Sequence, residues 1–113
     1  MYQEIALTDH LNQRIKTMVR VKGADIVLEV QLRWQKALNL WTMSVWNENG
    51  EALALRVPVL SGIDRETGNI VKPFLYLGFG SVYAVPRSVE FNGIDPTDKN
   101  LHKDYALIWG GED

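Results

Sequence analysis

Hydrophobic and polar residues alternate along much of this chain with a period of two. In Leu28-Glu29-Val30-Gln31-Leu32-Arg33-Trp34 every second residue is apolar. Successive side chains of a strand point to opposite faces, so this stretch has one face suited to a core and one suited to water. Trp41, Met43 and Val45 repeat the pattern against Thr42 and Ser44, and Trp46 falls in phase with the polar set. Asn47-Glu48-Asn49-Gly50 follows. Asn-Gly is a strong hairpin signal because both residues accept a positive φ. The return strand, residues 52–60, is expected to carry Leu53, Leu55, Val57 and Val59 on one face. Pro58 has no N–H to give to a ladder, which places this strand at a sheet edge or breaks it there.

Further strands are predicted over 3–7, 14–21, 74–77, 81–85 and 105–109, and Val21-Lys22-Gly23-Ala24-Asp25 reads as another hairpin turn. Ser61-Gly62, Thr67-Gly68-Asn69 and Asn92-Gly93 supply turn chemistry between them. Strands spaced near ten residues apart, without a ten-residue helical pattern, predict an all-β fold: a mainly antiparallel small barrel or sandwich. One short helix is expected between Asp95 and Leu101. Asp95 would cap it, Pro96 would take the first turn where a missing N–H costs nothing, and Asp98 would sit at the third position. No repeat, linker or low-complexity segment divides the chain. With 113 residues it reads as a single domain over 1–113.

Composition narrows the function classes. The absence of cysteine excludes a disulfide framework, thiol catalysis and thiolate zinc sites. A net charge of −2, with no basic cluster, argues against direct nucleic-acid binding or an anionic membrane surface. No apolar run approaches the roughly 18 residues of a spanning helix, and no signal peptide is expected at the N-terminus.

Candidate chemistry is sparse. His10 and His102 are the only neutral-pH acid–base groups; both lie in polar, turn-like surroundings and lack metal-pair spacing. Asp95, Asp98, Asp104, Glu112 and Asp113 gather negative charge near the end of the chain without the alternate spacing of a cation loop. In Gly78-Phe79-Gly80 the third-glycine position of a dinucleotide fingerprint holds Tyr83 and a strand follows, so a bulge or tight bend is expected instead. Ser61 lacks the first glycine and the following helix of a nucleophile elbow. No catalytic, cofactor or metal site emerges, and the protein is read as no enzyme.

What stands out is the aromatic content, four Trp, four Tyr and three Phe. Trp34 and Trp41 fall on the expected core faces. Trp46 falls on the wet face, where it reads either as part of a contact surface or as packing on a two-sided strand. Tyr76, Phe79, Tyr83, Tyr105 and Trp109 raise the same question further along.

The order of these motifs resembles a known family. Gln3-Glu4-Ile5-Ala6-Leu7 and Asn12-Gln13 are followed by Leu32-Arg33-Trp34 and by Trp41-Thr42-Met43-Ser44-Val45-Trp46. Then come the Asn49-Gly50 turn, Val57-Pro58-Val59-Leu60-Ser61-Gly62-Ile63-Asp64 and Tyr76-Leu77-Gly78-Phe79-Gly80. Asp95-Pro96-Thr97-Asp98, Asn100-Leu101 and the apolar strand Tyr105-Ala106-Leu107-Ile108-Trp109 close the series. In this order they resemble the cyanophage-type baseplate plugs, small components of contractile phage tails. The resemblance covers nearly the whole chain; residues 65–72 and 86–94 are longer than the corresponding family connections.

The resemblance implies a non-enzymatic virion protein of the tail baseplate, assembled in the host cytoplasm and packed on the central hub as a plug around the tail axis. It implies other baseplate and hub proteins as partners. Tail symmetry adds a homo-oligomer of three or six copies, head to tail in a closed ring. Trp46, Phe79, Tyr83 and Trp109 are the expected inter-subunit contacts. The alternative is a small β-barrel tail module binding a ligand or carbohydrate through its aromatic faces. A small hydrolase using Asp and His is a third and weaker reading.

Overall fold

The computed structural model describes residues 2–61 and 68–111. Among these residues seven strands form two antiparallel sheets: β1 (Tyr2–Ile5), β2 (Asn12–Val21), β3 (Ala24–Gln35), β4 (Leu40–Asn47), β5 (Ala52–Pro58), β6 (Ser81–Pro86) and β7 (Tyr105–Gly110). The larger sheet is the meander β2-β3-β4-β5, and the smaller has the order β1-β7-β6. The first strand therefore pairs with the last, Tyr2 opposite Gly110 and Ile5 opposite Leu107.

Alternation decides what is buried. On the larger sheet Val19, Leu28, Val30, Leu32, Met43 and Val45 face inward, and on the smaller Ile5, Val82, Ala84, Leu107 and Trp109 do so. These inner faces join one hydrophobic cluster. The two sheets do not close on each other, so of the two expected architectures the open sandwich is the one present. Trp34 and Trp41 sit opposite each other on β3 and β4 and meet edge to face at 5.7 Å, on the core side as expected.

The turns follow their residues. Lys22 (φ 51) and Gly23 (φ 79) make a two-residue connection between β2 and β3, a geometry whose twist matches that of the paired strands. The loop after β4 is longer: Gly50 alone takes the positive φ, and the Asn47 carboxamide accepts the N–H groups of Asn49 and Glu51.

Three local expectations are corrected. Residues 74–77 are not a strand but part of a 3-10 helix, Lys72–Leu77. Pro73 suits the first turn of a helix because its φ is preset and its N–H is absent, and Gly78 in the left-handed region closes the last turn. The helix expected between Asp95 and Leu101 begins where it was expected to end, as α1 (Leu101–Asp104). The Asp95 carboxylate accepts the N–H of Ser61 at 2.9 Å instead of capping a helix, and the Asn100 side chain closes a preceding turn by accepting from Thr97 N–H at 2.7 Å.

The third correction concerns β5. Leu55 is 57% exposed and Ala54 is buried in its place. The register of β4 against β5 shifts twice, and Arg56 takes a left-handed φ of 53. An extra residue in a strand reverses the phase of the side chains beyond it, so a strict period-two reading fails there. Pro58 does lie on an edge strand.

Candidate interaction surface

The outer face of the larger sheet is built from the polar phase of its strands. Arg14 of β2 stands opposite Gln31 of β3, and Glu29 of β3 opposite Trp46 of β4. The Arg14 guanidinium pairs with Glu29 and lies 4.3 Å from the centre of the Trp46 ring. A cation over an aromatic face is attracted by the ring's quadrupole, and the ion pair to Glu29 anchors the cation there. Trp46 is half-buried, with the Arg14 guanidinium stacked against its ring.

Beside Trp46 a shallow groove of about 440 Å³ runs over β3, β4 and β5, walled by Gln31, Arg33, Gln35, Trp46, Leu55 and Arg56, with Thr42 and Ser44 also lining it. Thr42 and Ser44 are buried even though they face away from the core, because their neighbours on the same face cover them. Their hydroxyls are satisfied: Thr42 accepts from the Gln35 carboxamide at 3.0 Å and donates to the Arg33 carbonyl at 3.3 Å, while Ser44 accepts from the Arg56 N–H at 3.0 Å.

The four aromatic candidates are not brought together. Phe79 (2% exposed) and Trp109 (fully buried) form one tilted pair, ring centres 6.2 Å apart, and the Trp109 indole donates to the Phe79 carbonyl at 2.9 Å. Tyr83 is 5% exposed and meets Tyr2 edge to face on the outer side of the smaller sheet. Of the four, Trp46 alone retains substantial accessible surface within one chain.

Sequence reasoning passed over the two arginines of the groove and the exposure of Leu75 and Leu77, although it had singled out Tyr76 as a possible contact residue. Arg33 and Arg56 both border the groove; the signal for Arg33 was its polar phase beside Gln31, whereas Arg56 reaches this face through a bulge that no pattern announced. Leu75, Tyr76 and Leu77 are exposed on the 3-10 helix, Tyr76 at 81%; Pro73 was the available signal that they would not form a strand.

The remaining chemistry is dispersed. His10 lies exposed before β2 and His102 in α1, and among the described residues no group of three or more His, Asp or Glu is arranged to hold a metal. Gly78 and Gly80 make the tight bend expected of them, with φ of 77 and 97 just before β6. Of the connection at 65–72, residues 65–67 lie outside the described residues, while Asn69 and Ile70 hydrogen-bond to the backbone of Val82 along the outer edge of β6.

A mostly antiparallel fold with one half-exposed, propped Trp on a grooved sheet face suits contact with another macromolecule. Comparison with family models decides which kind. The model described as cyanophage baseplate Pam3 plug gp18 matches residues 2–112. The chain belongs to this family. No curated protein matches it. Membership in the plug family makes it a structural component of a phage tail baseplate, associated with other baseplate proteins in the virion. The match extends over both sheets of this chain, from β1 to β7.

Proposed function

We propose that the chain is a single plug-like domain over 1–113 that packs on the central hub of a contractile-tail baseplate, with three or six copies arranged around the tail axis. The family match along residues 2–112 carries this reading. Cyclic symmetry then demands two different patches per subunit, joined head to tail so that the ring closes. Trp46 is the anchor of one such contact: an aromatic ring stacked against Arg14 loses little further freedom on docking. Phe79, Tyr83 and Trp109 act in this proposal through the shape of the strands they support, since their own side chains are buried. Assembly takes place in the host cytoplasm, before the tail is complete.

Purified tail particles from cells infected in the presence of a tagged copy provide the test. Quantitative mass spectrometry is expected to find the chain stoichiometric with the hub, at three or six copies per tail. Particles complete in hub and baseplate but lacking the chain would refute the reading. Trp46→Ala is expected to weaken association by about 2 kcal/mol, seen as a fall in copies per particle when wild type and variant compete. Equal incorporation would remove Trp46 from the interface.

A further inference from the structure

The chain as a whole is negative, yet the groove on its larger sheet is positive. The formal net charge is −2, while Arg33 and Arg56 border the groove and no carboxylate lines it. The other arginines of the same face are occupied, Arg14 by Glu29 and Arg20 by Asp25 at 3.1 Å, while Lys16 on β2 lies outside the groove's lining. The side chains of Arg33 and Arg56 are exposed and make no ion pair or hydrogen bond among the described residues.

The backbone holds this arrangement in place. Opposite Ser44 the edge strand accommodates both Leu55 and Arg56, with Arg56 in the left-handed region and its N–H bonded to the Ser44 hydroxyl. A non-glycine residue seldom adopts that conformation. Its result here is that an apolar side chain and a cation both line the groove, where a regular strand would turn one of them inward. Leu55, at 57% exposure, and Trp46 supply apolar walls beside the two guanidinium groups.

We infer that this groove docks an acidic segment of a neighbouring baseplate protein, in which two carboxylates flank an apolar side chain. The carboxylates meet the planar donor forks of Arg33 and Arg56, and the apolar side chain lies between Trp46 and Leu55. The inference rests on the proposed packing against baseplate neighbours and adds the chemistry of the surface that is recognised. A nucleic acid fits less well: it would need a track of cations following successive phosphates, and the groove offers two on a chain of negative charge.

Two experiments test it. In the first, Leu55 is replaced by the photo-crosslinking residue benzoylphenylalanine in the tagged chain, tail particles are irradiated, and the attached peptide is sequenced. The expected product is a segment of another baseplate protein with at least two Asp or Glu beside the attachment point. The paired substitutions Arg33→Gln and Arg56→Gln should lower its yield about ten-fold. A product without acidic residues, a crosslink to nucleic acid, or a yield indifferent to the paired substitutions would overturn the inference while leaving the plug reading intact. In the second, the purified, isotope-labelled chain is titrated with an acetylated Asp-Leu-Glu peptide or its Asn-Leu-Gln counterpart, and the Trp46 indole resonance is followed. The acidic peptide alone should shift it, with affinity about ten-fold lower in the paired variant and in high salt. No shift at millimolar acidic peptide, or equal shifts from both peptides, would overturn the inference. Binding of the acidic peptide by a chain that is absent from tail particles would defeat the plug reading instead. Both arginines are exposed, and an unchanged amide spectrum of the variant certifies its fold.

Discussion

At the scale of single residues, the contrast between two glycines shows how much depends on what lies opposite. Gly23 and Gly80 both have positive φ, 79 and 97. A Cβ on Gly23 would meet nothing within 4 Å, whereas on Gly80 it would stand 2.6 Å from the carbonyl oxygen of Gly110 and 3.0 Å from Val21. Gly23→Ala should therefore cost about 1 kcal/mol, from backbone conformation alone. Gly80→Ala adds a collision with the backbone of a buried strand and should cost about 3 kcal/mol. Urea midpoints measured side by side decide it; equal losses would mean that β6 and β7 yield easily at this end. The positive φ values were foreseeable from Gly in turn-forming contexts, but the close approach was not, since Gly110 lies thirty positions along the chain from Gly80.

At the scale of elements, the smaller sheet has a tie across its outer side. Glu4 on β1 receives a hydrogen bond of 3.0 Å from the guanidinium of Arg87, which follows β6, so the pair spans the central strand β7. Arg87 also fixes its own backbone by donating its N–H to the Asp104 carbonyl at 2.8 Å. The hydrogen bond from Arg87 holds the Glu4 carboxyl below its ordinary value of 4.5. A carboxylate whose pKa is depressed on folding contributes stability that is complete above its ordinary value and disappears as pH falls through the lower, folded value. Both partners are exposed, so the effect is small. Thermal midpoints of wild type and Glu4→Gln should differ slightly at neutral pH and converge well below the ordinary Glu range. A gap that persists in acid would locate the difference elsewhere than in this ion pair.

On the larger sheet, element patterning was legible for β3 and β4 because one face is apolar from Leu28 to Trp34 and from Trp41 to Val45, and less so for β2, whose inner face mixes Gln13 and Thr17 with Ile15, Val19 and Val21. It failed at β5, where an inserted residue changes the phase between Ala54 and Val57. It failed also at 72–77, where apolar residues adopt a helix that leaves Leu75, Tyr76 and Leu77 exposed. In both places the outcome depends on what the backbone finds to bond with, such as the Ser44 hydroxyl, and periodicity carries no record of that.

At the scale of the whole molecule, the long connections are secured by polar atoms of core aromatics. The indole of Trp41 donates to the Thr97 carbonyl at 2.7 Å, that of Trp109 to Phe79, and the Tyr105 hydroxyl to Ile94. Each ring fills the core while its donor holds a segment that has no strand partners of its own. Burial, with Asp95 and Asp104 nearby, raises the Tyr105 phenol above its usual range, so it remains a donor through neutral pH and beyond. Trp41→Phe is expected to lose about 1 kcal/mol for the missing bond and, by hydrogen exchange, to release amides of residues 97–101 before those of β2 and β3. Uniform loss of protection across the molecule would reduce Trp41 to a packing residue.

The amino-acid sequence by itself determined the faces of β3 and β4, the tight turns and the family, because these are written in local alternation, in Gly-containing turns and in an ordered series of motifs. Tertiary structure alone decided that the sheets stay open, that Trp109 and Phe79 bury each other, and that Trp46 stays accessible beside Arg33 and Arg56. The physical reason is range. Alternation assigns a side chain to one of two faces, but whether that face meets solvent, a second sheet or a covering loop depends on strands paired across the length of the chain, as β1 is with β7.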